Sequence, residues 1–281
     1  MSSPISRVSR LFGYTRQNFY KRDREQLLKE DRSNQVLSYI LRERTKMPRL
    51  GTRKLKYRLA LQGVSYGRDK LFDLLRSNRL LIKPLRSYIK TTYSKHWLKK
   101  HRNLIQHKEV TAPNQVWVSD ITYIKTDQGY NYLSLVTDKF SRKIVGYDLS
   151  DSLKAEGAMR ALQMAIGNGE LQSDLIHHSD RGLQYCCTEY QQLLAEHKIL
   201  PSMTEKYDPY ENALAERMNG ILKTEFLLQE SFPTHKLAQL AVEEVIDIYN
   251  TLRPHMSLNM KTPNQVHLNK TPKGQALGVF N

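Results

Sequence analysis

Three acidic residues stand where a carboxylate is hard to keep. Asp120 interrupts the apolar run from Val116 to Ile124, Asp180 directly follows Leu175-Ile-His-His-Ser179, and Glu216 lies 36 positions further on in a segment of helical spacing. A charge inside an apolar strand is costly unless it is paired or bound to a metal. Three carboxylates that converge could not all stay ionised without a cation, and hard oxygen donors suit Mg²⁺. Two such ions about 3.5–4 Å apart activate a water or a 3′-hydroxyl and stabilise the leaving oxygen of a phosphodiester. With 20 acidic residues in the segment 111–281, spacing alone selects no triple. The surrounding elements must bring these three together.

The pattern predicts such elements. Val116 to Thr126 and Gly129 to Phe140 are rich in Val, Ile, Tyr and Thr around a Thr-Asp-Gln-Gly turn, and Arg142 to Leu149 follows as a third strand. A helix carrying Leu153, Ala158, Leu162 and Ile166 comes next, then a strand Leu175 to His178, a helix Glu189 to His197, a strand Ile199 to Met203 and a long helix after Pro209. Three strands followed by helix, strand, helix, strand, helix is the order of an RNase H-like mixed sheet. Asp180 then sits at a strand terminus, where α/β active sites form.

On a helix from Tyr210 to Phe226, Asn212, Glu216, Asn219 and Lys223 share one polar face, opposite Leu214, Met218, Ile221 and Leu222. Glu216 would face the metals, while Asn212, Asn219 and Lys223 would contact DNA, Lys223 at its phosphate. His178 and Arg181 flank Asp180 and either orient it or contact DNA, a packing histidine being the equal alternative for His178. Leu237, Leu240, Val245 and Ile248 predict a core helix whose end carries Tyr249, Arg253 and His255 as functional groups.

The front of the chain differs in charge. Residues 1–110 hold 28 Lys and Arg against 8 Asp and Glu, whereas residues 111–281 hold 16 against 20. A basic arm on a mildly acidic body points to a polyanion partner, and nucleic acid is favoured over membrane because no basic cluster adjoins an apolar anchor. Ile5, Val8, Leu11 and Phe12, a break at Gly13 and a cap at Thr15 outline a helix-turn-helix, with a third helix over Glu25 to Arg44 burying Leu28, Val36, Ile40 and Leu41. A second such outline starts at Thr52, runs to Gly63 and resumes from Arg68 to Asn78; Arg53, Lys54, Arg68 and Lys70 are its candidate DNA contacts. An ordinary helical bundle is the bland alternative, against which the basic surround weighs. The expected organisation is a helical segment 1–46, a second helix-turn-helix-like unit 47–82, a basic linker 83–111, a catalytic core 112–268 and a tail 269–281.

Other classes are excluded. No stretch between charged residues is as long as the roughly 20 apolar residues a membrane span requires. The N-terminus does not read as a signal peptide. Cys186 and Cys187, the two cysteines, are adjacent, which suits neither an ordinary disulfide nor zinc spacing and implies a reducing compartment.

Trp117-x-x-Asp120-x-Thr122-Tyr123, Asp138-x-Phe140-Ser141-Arg142, His178-Ser-Asp180-Arg-Gly182-x-Gln184-Tyr185, Asn212-Ala-x-Ala-Glu216-Arg217 and Tyr249-Asn250-x-x-Arg253-Pro-His255 together resemble the integrase core of bacterial insertion-sequence transposases. The group is the one read from two overlapping frames, and the chain resembles its downstream product. The likeness covers residues 114–268 almost throughout and the front half loosely. It implies that Asp120, Asp180 and Glu216 are an Asp-Asp-Glu triad holding two Mg²⁺ ions, for which Mn²⁺ can substitute. It implies too that Lys223 is the basic residue the family carries there, and that Glu211 replaces a more usual Asp. The expected function is Mg²⁺-dependent hydrolysis at element ends and 3′-hydroxyl strand transfer, on DNA ends and target. The expected setting is a homo-oligomer on DNA, joined by or fused to an upstream-frame protein in the nucleoid-associated cytoplasm of a bacterium. The alternatives are an RNase H-like nuclease without strand transfer and a DNA-binding remnant or regulator without catalysis.

Overall fold

The structure, a computed structural model, describes residues 11–13, 15–83, 98–168, 171–205 and 212–268, without the side chain of Arg16. The chain divides into two units, Met1–Lys83 and Pro84–Asn281. The start of the first predicted helix, residues 84–97 of the basic linker, Tyr210 with Glu211, and the tail lie outside the described residues.

In the first unit, the Thr15 hydroxyl accepts from Asn18 N at 3.2 Å and caps α1, Arg16–Lys46. The sequence predicts two helices across this span; the structure has one. No Gly or Pro interrupts residues 16–46, so nothing stops propagation. Val36 and Ile40 are buried as expected, but Leu28 and Leu41 are exposed, because the other helices cover a single narrow side of α1. Those helices are α2, Thr52–Leu61, and α3, Arg68–Ser77. Gly51, not Thr52, occupies the cap position of α2. Leu55, Leu59, Leu71 and Leu75 close a core with Val36, Ile40, Met47 and Leu50, and Arg58 holds Glu43 through two hydrogen bonds of 2.7 and 3.0 Å.

The second unit is built on a five-stranded sheet in the order β3-β2-β1-β4-β5. The strands are β1 Val116–Thr126, β2 Gly129–Asp138, β3 Ile144–Ser150, β4 Ile176–Ser179 and β5 Leu200–Met203. β1, β2 and β3 form the predicted antiparallel meander, and β4 and β5 add in parallel. Between and after them come α4 Ala155–Gly167, α5 Leu183–Cys186, α6 Thr188–Glu196, α7 Ala213–Glu225, α8 His235–Thr251 and α9 Pro263–Leu268.

The period of two in β1 divides the core. Trp117 joins Ala158, Leu162, Tyr185, Tyr190 and Leu194 on the side of α4 and α6, whereas Val116 and Val118 join Ile176 and Ala215 on the side of α7. Asp120, two residues beyond Val118, therefore faces α7. α4 lies so close to β3 that a Cβ on Gly146 would collide with Ala161 O, which is why glycine stands there. On α8 the buried stripe is Ala238, Val242, Ile246 and Tyr249; the expected Leu237 and Leu240 are exposed, one turn-face away. Cys186 is buried and Cys187 partly so. Among the described residues no helix is long and apolar enough to cross a membrane.

Candidate active site

β1 and β4 run parallel with Val118 opposite His178, and two more residues along each strand bring Asp120 and Asp180 level. Alternation puts both on the α7 side, where Glu216 occupies the first turn. Asp120 is half-buried: Oδ1 accepts from Ile121 N at 2.9 Å and Oδ2 from Asn219 Nδ2 at 2.7 Å. Burial, then the charges of Asp180 and Glu216, push the Asp120 carboxyl up to about 7 against the pull of those two hydrogen bonds. Asp180 Oδ1 accepts from Gly182 N at 2.9 Å. Glu216, the most exposed of the three, is raised by desolvation and by Asp180. The three carboxylates thus sense one another electrostatically.

Among the described residues no three His, Cys, Asp or Glu side chains form a cluster that could hold a metal ion, so the carboxylates are neighbours without being gathered as ligands. Mutual repulsion opposes closer approach. Their chemistry fits a hard divalent cation, since all three are oxygen donors and the charge they concentrate at Asp120 is what such an ion would offset.

The helix predicted to begin at Tyr210 begins at Ala213, with Asn212 in the cap position. Asn212 Nδ2 donates to Ser119 O at 3.2 Å, tying the start of α7 to the strand beside Asp120. Asn212 and Asn219 are both buried, so of the polar face expected to meet DNA, two amides instead bind β1. Lys223 is half-buried; desolvation lowers its pKa and the Asp120 charge opposes that, so it lies on the same side as the carboxylates.

The flanking histidines divide by face. His178 is fully buried, with Nδ1 2.8 Å from Ser202 Oγ. His177 went unremarked in the sequence, yet it lies under β1 with Nε2 2.7 Å from Ser119 Oγ and 2.9 Å from Tyr190 Oη. Burial lowers its pKa to about 3, so it is neutral. The alternation His-His at the end of an apolar strand was the signal that one of them points into each core. Arg181 is partly buried beside Asp180.

The predicted group at the end of α8 turns inward. Arg253, 3% exposed, grips Glu225 of α7 with hydrogen bonds of 2.8 and 2.7 Å and donates to His255 Nε2 at 2.8 Å. Tyr249 is buried beneath it, its ring 5.7 Å from the guanidinium, and Asn250 bonds both N and O of Ile144. These residues fasten α8 to β3 and to the far end of α7; no sequence pattern marked Glu225 as the partner. In the first unit, Arg53, Arg68 and Lys70 are exposed and Lys54 partly buried, and Arg68 pairs with Asp69 at 2.9 Å.

The strand order, with α7 laid across β1 and β4, defines an RNase H-like integrase core. Family models described as integrase core domain match residues 110–209 and 197–263. The chain is 39% identical over 215 residues to the insertion element IS600 uncharacterized 31 kDa protein of Shigella sonnei, covering 76% of this chain and 79% of that protein. It is 34% identical over 219 residues to transposase InsF for insertion sequence IS3A of Escherichia coli (strain K12), covering 77% and 76%. Among solved structures, a chain of the simian T-cell lymphotropic virus intasome in complex with PP2A regulatory subunit B56 gamma superposes with a TM-score of 0.50 at 21% identity, over 83% of this chain and 76% of that one. The chain belongs to the IS3-type insertion-sequence transposases.

Proposed function

We propose that this transposase hydrolyses a phosphodiester at each element end and transfers the freed 3′-hydroxyl to a target strand, with Asp120, Asp180 and Glu216 as its metal-holding triad. The observation that carries the reading is the arrival of three carboxylates from β1, the end of β4 and α7 on one side of the sheet. These residues would hold a pair of Mg²⁺ ions, which supply activation of the attacking oxygen and stabilisation of the leaving one. Asn219 fixes one oxygen of Asp120, and Asn212 fixes the strand that carries it. Lys223 supplies a positive charge on the same side, suited to the reacting phosphate. His178 anchors the end of β4 to Ser202 of β5, Arg181 follows Asp180 directly, and Arg253, His255 and Tyr249 hold α7 and α8 in place.

The basic first unit carries sequence-independent phosphate contacts through residues such as Arg53, Lys54, Arg68 and Lys70. Joining two ends needs at least two active sites held together, so the working form is an oligomer on DNA, assisted by or fused to an upstream-frame product. The test is incubation with DNA carrying both element ends, with and without Mg²⁺ or Mn²⁺. Site-specific nicks and joined products that require the metal are the expected result. Cleavage without joining would mark a nuclease, and binding without either would mark a regulator.

A further inference from the structure

The turn between β2 and β3, Asp138-Lys-Phe-Ser-Arg-Lys143, is held in a single shape from several sides. Asp138 Oδ1 accepts from Ser141 N and Ser141 Oγ at 2.7 and 2.6 Å, and its Oδ2 accepts from Asn114 N at 2.8 Å. Asp138 N donates to Lys143 O at 2.8 Å and Arg142 N to Asp138 O at 2.9 Å. Tyr249 of α8 is buried, and its Oη donates to Arg142 O at 2.9 Å and lies 3.3 Å from Met218 Sδ of α7.

Within that frame Arg142 has φ 64°, the left-handed region where glycine is strain-free and a β-carbon is not. A turn that asks for glycine and carries arginine has a use for the side chain. Among the described residues neither Arg142 nor Lys139 nor Lys143 forms an ion pair, although all three are half-buried. Asp138 acts on Arg142 and Lys143, but its oxygens are already taken by Ser141 and Asn114. Burial first, and then the like charge of Arg217, which follows Glu216 on α7, disfavour the charged form of Arg142, with Tyr249 and Asp138 acting the other way. Half-buried cations that form no ion pair within the protein are suited to completion by an anion.

We infer that Arg142, with Lys139 of the same turn, is a phosphate-binding site of the catalytic unit for a DNA backbone, and that Tyr249 is its positioning residue. Planar, bidentate recognition explains arginine rather than lysine at the strained position. The inference rests on the DNA-processing reading but does not need catalysis. It also accounts for the burial of Tyr249 and Arg253: Arg253 stacks against Tyr249, and Tyr249 braces the turn that presents Arg142.

The experiment uses the full chain and a fluorescent duplex of arbitrary sequence in EDTA, so that no reaction intervenes, with affinity measured against salt. Arg142→Gly is the informative variant, because glycine relieves φ 64° and the urea midpoint should hold or rise. Affinity should nonetheless fall about tenfold, as for one charge-assisted hydrogen bond, and the plot of log affinity against log salt should become shallower by about 0.9. Arg142→Lys should keep the wild-type slope. Tyr249→Phe should weaken binding less than Arg142→Gly does. An unchanged slope in Arg142→Gly overturns the assignment, and so does a joint loss of midpoint and affinity that Arg142→Lys does not restore. Failure of the wild-type chain to bind the duplex would overturn the DNA-processing reading beneath it.

Discussion

Asn219 Nδ2 donates to Asp120 Oδ2 at 2.7 Å, so the helix carrying Glu216 is fastened directly to the carboxylate of Asp120 as well as, through Asn212, to the backbone beside it. Asn219 is buried and three residues after Glu216, which places it on the same side of α7.

Asn219→Ala should therefore leave the fold standing while freeing Asp120 to rotate. Removing the partner of a metal-holding group typically costs about 10–100-fold in metal affinity or activity. The expected result is a higher Mg²⁺ concentration for half-maximal cleavage, with DNA affinity nearly unchanged. Asn219→Asp should be worse, since a carboxylate would replace the donor and repel Asp120. Wild-type metal dependence in both variants would leave Asn219 a packing residue only.

Asp120→Asn, Asp180→Asn and Glu216→Gln each delete a charge at little change of shape. Each should abolish cleavage and joining while leaving binding to element-end DNA intact. Because burial and the neighbouring Asp180 and Glu216 disfavour an ionised Asp120, Asp120→Asn should also stabilise the metal-free protein slightly in urea denaturation near neutral pH. Strand transfer at the wild-type rate in any one of the three would remove that residue from the site.

Much of this site is legible in the sequence because strands expose their logic at short range. Val118 and Asp120, and likewise His178 and Asp180, share a face by the period of two, and the apolar runs around them announce the strands. What the sequence does not reveal is direction in the helices and partners at long range. Asn212, Asn219 and Arg253 have the composition of DNA contacts, yet each is taken by a group far along the chain, Ser119, Asp120 and Glu225 respectively. In α1 and α8, leucines at helical spacing occupy more of the circumference than the neighbouring elements cover, so Leu28, Leu237 and Leu240 stay exposed.

The Arg253–Glu225 pair gives a stability test. Arg253 is almost wholly buried, whereas the Glu225 side chain is a quarter exposed, so breaking the pair costs less than losing a fully buried one. Arg253→Met should destabilise by about 3 kcal/mol in urea denaturation, the lower end of the range for buried pairs. Pairing it with Glu225→Gln should recover part of the loss, because no unpaired carboxylate is then left against the core. Equal destabilisation in the single and double variants would mean that packing, not the ion pair, carries the effect.

His177 makes stability depend on pH. Its folded pKa is about 3 because burial disfavours the imidazolium, while an unfolded histidine titrates near 6.5. Between those values the unfolded chain binds a proton that the folded one excludes, so stability falls as pH is lowered through the window from about 6.5 toward 3. The contribution at pH 5 relative to pH 7 is about 2 kcal/mol. His177→Gln should flatten that part of the stability profile relative to wild type, whatever its effect at pH 7. Identical slopes in the two proteins would show that His177 is protonated in the fold.

The basic arm offers the last test. Residues 1–83 form a unit of their own, and the Arg and Lys side chains on α2 and α3 include exposed Arg53, Lys56, Arg68 and Lys70. If these residues track phosphates, each contact releases counterions, and log affinity falls with log salt by about 0.9 for every phosphate neutralised. Replacing Arg53, Lys56 and Lys70 together by Gln should make the plot shallower by about 2–3 and weaken binding to unrelated and element-end duplexes alike, since phosphate contacts position a protein without reading sequence. The helices should survive, because glutamine propagates them nearly as well and all three side chains are exposed. A loss confined to element-end DNA would instead assign α2 and α3 to base recognition, and no change in slope would move the principal DNA contacts onto the catalytic unit.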